Sequence, residues 1–237
     1  MTTTLITGAN KGLGFETARR LVAEGHTVYV GSRDAGRGRR AAGKLGARAR
    51  PLLLDVTDDA SVAEAARAVE ADGGLDVLIN NAGVEGRAPD GGVVGPADVT
   101  ADAMRALFET NVFGLVRVIH AFLPLLRCSA APVVVNVSSG LASLARVSAP
   151  GTPTHAYPGV AYPASKTAVN MITVQYAKAF PAMRINAVEP GYTATDLNGH
   201  TGTQTVAEGA EIIVRMALVA PEGPTGAYVD AEGPLPW

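Results

Sequence analysis

Short β-branched runs alternate with longer amphipathic segments along the chain. The short runs predict strands at Thr3–Thr7, Thr27–Gly31, Arg48–Leu54, Val77–Asn80, Val133–Ser138 and Arg184–Val188, with a seventh at Ala227–Val229. The amphipathic segments predict helices at Gly12–Glu24, Asp34–Leu45, Asp59–Ala71, Ala101–Arg127, Tyr162–Phe180 and Val206–Val219. Asp58, Thr100 and Thr205 stand where N-caps of three of these belong. The alternation predicts right-handed βαβ units, and hence an α/β fold: a doubly wound, seven-stranded parallel sheet with helices on both faces. Three stretches rich in Gly, Pro and small polar residues, Val84–Val99, Gly140–Ala161 and Tyr192–Gln204, each follow a strand. In such a sheet they emerge at the carboxyl ends of the strands, where ligands bind, and they are expected to form the substrate mouth.

Composition narrows this further. The chain has 237 residues, 47% of them apolar, enough for one sizeable core, so a single domain over residues 1–237 is expected. A net charge of −2 gives no long-range attraction to nucleic acid or an anionic membrane, which leaves a small molecule as the expected partner. The apolar stretch Ala106–Leu126 is interrupted by Glu109, Asn111, Arg117 and His120, and is read as a buried helix rather than a membrane span. The lone Cys128 and an N-terminus that runs directly into a strand fit a cytoplasmic protein. No metal is implied: His26, His120, His155 and His200 are scattered without ligand spacing.

The first strand runs into Thr7-Gly8-Ala9-Asn10-Lys11-Gly12-Leu13-Gly14 and then a helix. Glycines there let the backbone turn tightly and approach a pyrophosphate, while the helix N-terminus offers unpaired N–H groups. At the end of the second strand stands Gly31-Ser32-Arg33, with no acid to repel a phosphate. Arg33 and Lys11 can clamp one, which favours NADPH, although a register shift would bring the Asp34 carboxylate toward the ribose. Arg37, Arg39 and Arg40 are read as a solvated helix face. Asp55, followed by Val56, either accepts from an adenine amino group or caps the approach to a helix. Asn80-Asn81-Ala82-Gly83 ends the fourth strand with two amides and two small residues that can tie neighbouring strand ends together and let a cofactor pass closely.

Carbonyl reduction needs hydride on carbon and a proton on oxygen, and Tyr162 with Lys166 one helical turn away supplies a phenol and an ammonium. The ammonium is expected to lower the phenol toward the working range. The strand Val133–Ser138 delivers hydroxyls, those of Ser138 and Ser139, at its carboxyl end. Asn111, in an otherwise apolar helix with Gly114 nearby, is either a helix-bending amide or the carrier of a water chain to Lys166.

Together these residues resemble the short-chain dehydrogenase/reductase family over essentially the whole chain, which implies a single-domain Rossmann fold. The resemblance matches the family's glycine motif to Thr7–Gly14, including Leu13, its adenine-side acid to Asp55, its Asn-Asn-Ala-Gly to Asn80–Gly83, and its catalytic tetrad to Asn111, Ser139, Tyr162 and Lys166. Pro190-Gly191-Tyr192-Thr193-Ala194-Thr195 is similar to its Pro-Gly-x-x-x-Thr segment, placing Pro190, Gly191, Thr193 and Thr195 at the nicotinamide and phosphates. Within the family the chain looks most like the NADPH-dependent carbonyl reductases. That implies Tyr162 as proton donor, Ser139 orienting the carbonyl, Lys166 on the nicotinamide ribose and Asn111 maintaining the relay. The segment Leu141–Ala161 is longer than the ordinary short-chain type yet far shorter than in animal carbonyl reductases, so oligomeric state, monomer or homo-oligomer, does not carry over. Leu141, His155, Tyr157, Tyr192 and Trp237 are candidates for contact with substrate. Competing readings are an NAD(P)-dependent alcohol or sugar dehydrogenase working oxidatively, and a non-catalytic NADP(H)-sensing module.

Overall fold

Strands β1 Thr3–Ile6, β2 Thr27–Ser32, β3 Ala49–Leu53, β4 Val77–Asn80, β5 Val133–Val137, β6 Arg184–Val188 and β7 Tyr228–Val229 form one sheet in the order β3-β2-β1-β4-β5-β6-β7. Every pairing is parallel. The structure is a computed structural model and describes residues 2–88 and 90–237; Met1, and Pro89 within the expected loop 84–99, lie outside the described residues.

Alternate residues of each strand feed two cores. Leu5, Leu78, Val134 and Ile185 face one side with α3 (Asp59–Ala71), α5 (Gly114–Cys128) and α7 (Ala161–Ala179). Ile6, Ile79, Val135 and Val188 face the other with α1 (Gly12–Ala23), α2 (Ala35–Leu45) and α8 (Val206–Ala217). All of β4 and β5 is buried, which is why both are largely apolar, with Asn80 and Asn136 the polar positions. At the edge, β3 exposes Arg50 and Leu53. The two-residue β7 pairs with β6 through the backbone, and the segment leading into it is also tied by one amide: Asn186 Nδ2 donates to Pro224 O (2.8 Å) and its Oδ1 accepts from Ala227 N (2.9 Å).

The expected caps form. Asp58 accepts from Ala60 N and Ser61 N, Thr100 from Ala103 N, and Thr205 from Glu208 N while Glu208 accepts from Thr205 N. Each such cap is worth about 1 kcal/mol to its helix.

One expected helix is not continuous. Residues 101–128 fold as α4 (Ala101–Phe108), a π-helical turn (Glu109–Phe113) and α5. At the joint a Cβ on Gly114 would lie 2.9 Å from Val56 Cγ2, so only glycine permits the approach. The run Ala101–Cys128 is long and apolar enough to cross a membrane by length and composition, but Leu115, Val118, Ile119, Phe122 and Leu126 pack into the core beside the sheet. Within the expected loop 140–161 lie a 3₁₀ turn at Gly140–Ala142 and the one-turn helix α6 (Leu144–Val147), which Ser143 caps by accepting from Arg146 N.

Candidate active site

Strand order reverses between β1 and β4, and the crevice at their carboxyl ends is stitched by one hydroxyl. Thr7 Oγ1 accepts from Asn81 N (3.0 Å) and Ala82 N (2.9 Å), while Asn81 Nδ2 donates to Thr7 O (2.9 Å) and Gly8 O (3.2 Å). Gly8 and Gly12 adopt positive φ. A Cβ on Gly14 would stand 2.6 Å from Asn81 Nδ2 and 2.7 Å from Gly8 O, so the start of α1 is pressed onto the strand end as no other residue allows. Lys11 precedes α1 without a side-chain cap, leaving the helix N-terminus open to an anion. Across the cleft, Thr195 Cγ2 lies 3.8 Å from the position of a Gly12 Cβ. Gly191, also at positive φ, packs against Gln204, and the buried Thr193 hydroxyl donates to Pro190 O. The glycine turn and the Pro190–Thr195 segment are thus two walls of one cleft, a cradle that fits a dinucleotide.

A cavity of about 510 Å³ adjoins it, lined by Asn10, Lys11, Phe15, Arg37, Arg40, Ala41, Lys44 and Asp196. The solvated face of α2 is as expected, with Arg37, Arg39 and Arg40 exposed; Arg37 and Arg40 also border this open cavity, whereas Arg33 does not line it. Lys11 is not free there, since its Nζ pairs with Asp196 at 2.5 Å. Lys11 also holds the Asp196 carboxyl below its usual range. Asp34 caps α2 by accepting from Arg37 N (2.8 Å), which answers the register question. Asp55 Oδ1 accepts from Thr57 N and Thr57 Oγ1, an Asx turn leading into α3, with Val56 buried behind it.

At the chemical end, β5, α7 and the π-turn bring four side chains together. Lys166, 5% exposed, donates from Nζ to Val137 O at 2.7 Å and stands 5.7 Å from the Tyr162 ring centroid. Burial pushes its pKa down to about 8. Asn111 Oδ1 accepts from Val84 N (2.8 Å), and its Nδ2 donates to Val84 O (2.8 Å) and Ser165 Oγ (3.0 Å). Unwinding into a π-turn aims that amide at Val84, so the bent-helix role is real in this structure. A Cβ on Gly83 would sit 3.4 Å from Asn111 Oδ1 and 3.6 Å from Lys166 Nζ, which puts the Asn-Ala-Gly segment against both.

The two serines part company. Ser138 Oγ donates to the buried Asn170 Oδ1 at 2.6 Å, whereas the Ser139 hydroxyl caps Leu141 N and hydrogen-bonds Tyr162. The expected lowering of Tyr162 by Lys166 is reversed: loss of hydration, then the Glu85 carboxylate, push the phenol up; the Ser139 hydrogen bond lowers it, and Glu189 raises it again. The reason is geometric, because the Lys166 ammonium is turned to Val137 O and is itself desolvated while two carboxylates face the phenol. A phenol so held keeps its proton at neutral pH.

Of the candidate substrate residues, Leu141 adjoins Ser139, and Tyr157 donates to Glu85 Oε1 at 2.9 Å. His155 is exposed, with Nδ1 2.9 Å from Val147 O, turned to the backbone of its own segment. Tyr192 is 52% exposed and its hydroxyl meets Thr201 Oγ1 at 2.5 Å. Trp237 stacks on Tyr228, whose hydroxyl donates to Ser139 O at 2.5 Å, so it touches the site through a second ring. Sequence reasoning missed Glu85 and Glu189; the expected tie between strand ends does form, Asn80 Nδ2 donating to Asn136 Oδ1, and it continues from Asn136 Nδ2 to Thr173 Oγ1. No group of three or more His, Cys, Asp or Glu placed to hold a metal occurs among the described residues.

A family model described as short chain dehydrogenase matches residues 2–205. The chain is similar to a (+)-neomenthol dehydrogenase of Capsicum annuum, 30% identical with 94% of each protein covered. The structure is similar to that of salutaridine reductase from Papaver somniferum, with a TM-score of 0.84 and 29% identity over 96% of this chain and 99% of that one. It is also similar to an NADPH-bound carbonyl reductase from chicken fatty liver, with a TM-score of 0.84 and 25% identity over 100% of this chain and 99% of that one.

Proposed function

This chain belongs to the short-chain dehydrogenase family, and we propose that within it the chain reduces a ketone or aldehyde to an alcohol with NADPH, Tyr162 serving as the proton donor. The carrying observation is that Ser139, Tyr162, Lys166 and Asn111 are gathered beside the glycine cradle.

Gly8, Gly12, Leu13 and Gly14, with the open start of α1 and Thr193 and Thr195 opposite, would hold the dinucleotide, and Asn81, Ala82 and Gly83 leave it room to pass. NADPH rather than NADH is supported by the cations Lys11, Arg37, Arg40 and Lys44 around one cavity, and by an Asp34 carboxylate committed to capping α2. When bound, the cofactor supplies the hydride. The chain's own residues supply the rest. Ser139 orients the carbonyl oxygen, and Tyr162 gives that oxygen its phenolic proton as the carbon accepts hydride, so the C=O becomes CH–OH. Lys166 spends one N–H on Val137 O and keeps two for ribose hydroxyls and proton resupply. Asn111 fixes Val84 and Ser165, and so the spacing between the Asn-Ala-Gly segment and α7.

The named relatives are a neomenthol dehydrogenase, a salutaridine reductase and a carbonyl reductase by their titles, and a small-molecule carbonyl compound is the substrate class we assign here. A cytoplasmic location fits the unpaired, exposed Cys128. The test is loss of nicotinamide absorbance on mixing the protein and NADPH with aromatic ketones, aldehydes, quinones and keto esters. Turnover that disappears in Tyr162→Phe supports the reading; NADPH binding with no turnover across the panel favours a sensor.

A further inference from the structure

Glu85 is an acid buried where no motif calls for one. Its side chain is only 8% exposed, and among the described residues its hydrogen bonds come from Arg87 and Tyr157. Arg87 donates Nε to Oε2 (3.0 Å) and Nη2 to both oxygens (3.1 and 2.9 Å), and Tyr157 donates its hydroxyl to Oε1 (2.9 Å). Burying a carboxylate is costly unless it is paired, and this one is paired across two loops.

Arg87 belongs to a small hairpin: it bridges Val93, its Nη1 donates to Gly91 O, and Ala88 N donates to Gly92 O. Tyr157 belongs to the 140–161 segment. The two loops also interlock sterically, because a Cβ on Gly159 would meet Tyr157 Cε1 at 2.5 Å and Val93 Cγ1 at 2.9 Å. Hairpin, glycine and tyrosine ring are packed as one wall, with the Glu85 carboxylate as its polar rivet.

We infer that Glu85 is a positioning residue for the reduction: locked by Arg87 and Tyr157, it fastens the 87–93 hairpin to the 140–161 segment and fixes the wall of the substrate mouth beside Tyr162. The inference rests on the reading of Tyr162 as proton donor. The groups facing that phenol are Lys166 from its own helix, the Ser139 hydroxyl from the end of β5, Glu189 from the end of β6 with Arg146 and Asp230 around it, Tyr157 from the insert, and Glu85 with its Arg87. Of these the Glu85 carboxylate raises the phenol most, after burial. Sign follows: reduction requires the protonated phenol and is lost as pH rises through its pKa, so removing the Glu85 charge brings that loss to lower pH.

The experiment compares wild type, Glu85→Gln and Tyr157→Phe by two readouts. Amide hydrogen exchange needs no substrate; its reporters are Ala88 and Gly91 in the hairpin and Ala156 and Tyr157 in the insert, each with a backbone hydrogen bond. Both variants are expected to exchange about tenfold faster in both loops together, with the sheet unchanged. The pH profile of carbonyl reduction is the second readout. Glu85→Gln should raise KM and move the alkaline limb to lower pH, whereas Tyr157→Phe should raise KM and leave the limb in place. Faster exchange confined to one loop, or an alkaline limb that Glu85→Gln does not move, overturns the inference. Absence of turnover in wild type sinks the reductase reading instead, and the exchange data still decide whether the two loops are coupled.

Discussion

The Lys166 ammonium donates to Val137 O at 2.7 Å and stands 5.7 Å from the Tyr162 ring, so it is anchored to the strand beneath the phenol rather than to the phenol itself. Lys166 thus contributes position and charge from a buried point, at a cost in folding free energy.

That cost is measurable. The folded pKa falls from 10.5 to about 8, so between these values the unfolded chain binds more protons and stability rises with pH. Below pH 8 the full penalty is present, about 3 kcal/mol at 1.36 kcal/mol per unit. Replacing the charge gives up the Val137 hydrogen bond, worth about 1 kcal/mol. Lys166→Met is therefore expected to be more stable than wild type by roughly 2 kcal/mol at pH 7 in urea unfolding, while losing activity. A less stable variant would contradict the assignment of a desolvated ammonium.

Tyr162→Phe keeps the ring and removes the proton. Its kcat is expected to fall by about 10²–10⁴ with NADPH affinity unchanged, as read by single-turnover kinetics and fluorescence titration. Residual turnover near wild type would take the role away from Tyr162.

Cofactor choice follows from the cavity beside the glycine turn. Arg37→Ala and Arg40→Ala are expected to weaken NADPH by about fivefold each, a loss of about 1 kcal/mol for a solvent-screened charge, and to leave NADH unaffected. Asp196→Asn frees Lys11 from its ion pair and should tighten NADPH. Titrating both cofactors against each variant checks this, and equal effects on NADH and NADPH would refute it.

Gly14→Ala tests the cradle. Its methyl would meet Asn81 Nδ2 and Gly8 O inside contact distance, forcing α1 off the strand end. A stability loss of about 1–3 kcal/mol and failure to bind either cofactor are expected, by thermal unfolding and calorimetric titration. Normal binding would mean the helix does not abut the cleft as described.

Much of this was readable from residue order. Strands β4 and β6 and helix α3 keep the bounds their patterns predict, since both faces of those strands are covered and Asp58 caps the start of α3. What escaped was set by contacts distant in sequence. Helical spacing continues through Glu109–Phe113, so nothing local announces a π-turn; it forms because Asn111 meets Val84, 27 residues away. Helix α6 hid among glycines and prolines, with Ser143 its one local signal. The rise of the Tyr162 pKa was not legible because its causes, burial first and then Glu85 and Glu189, come only with the fold.

The π-turn has a further consequence. It carries one more residue per turn than an α-helix, so it resets the angular phase of everything after it by about 100°. Leu107 before it and Leu115 after it both reach the core, while Asn111 between them faces Val84 and Ser165. Deleting a single amino acid there would heal the spiral yet rotate the downstream rod, leaving the chain to choose between a greasy interior and an aimed amide.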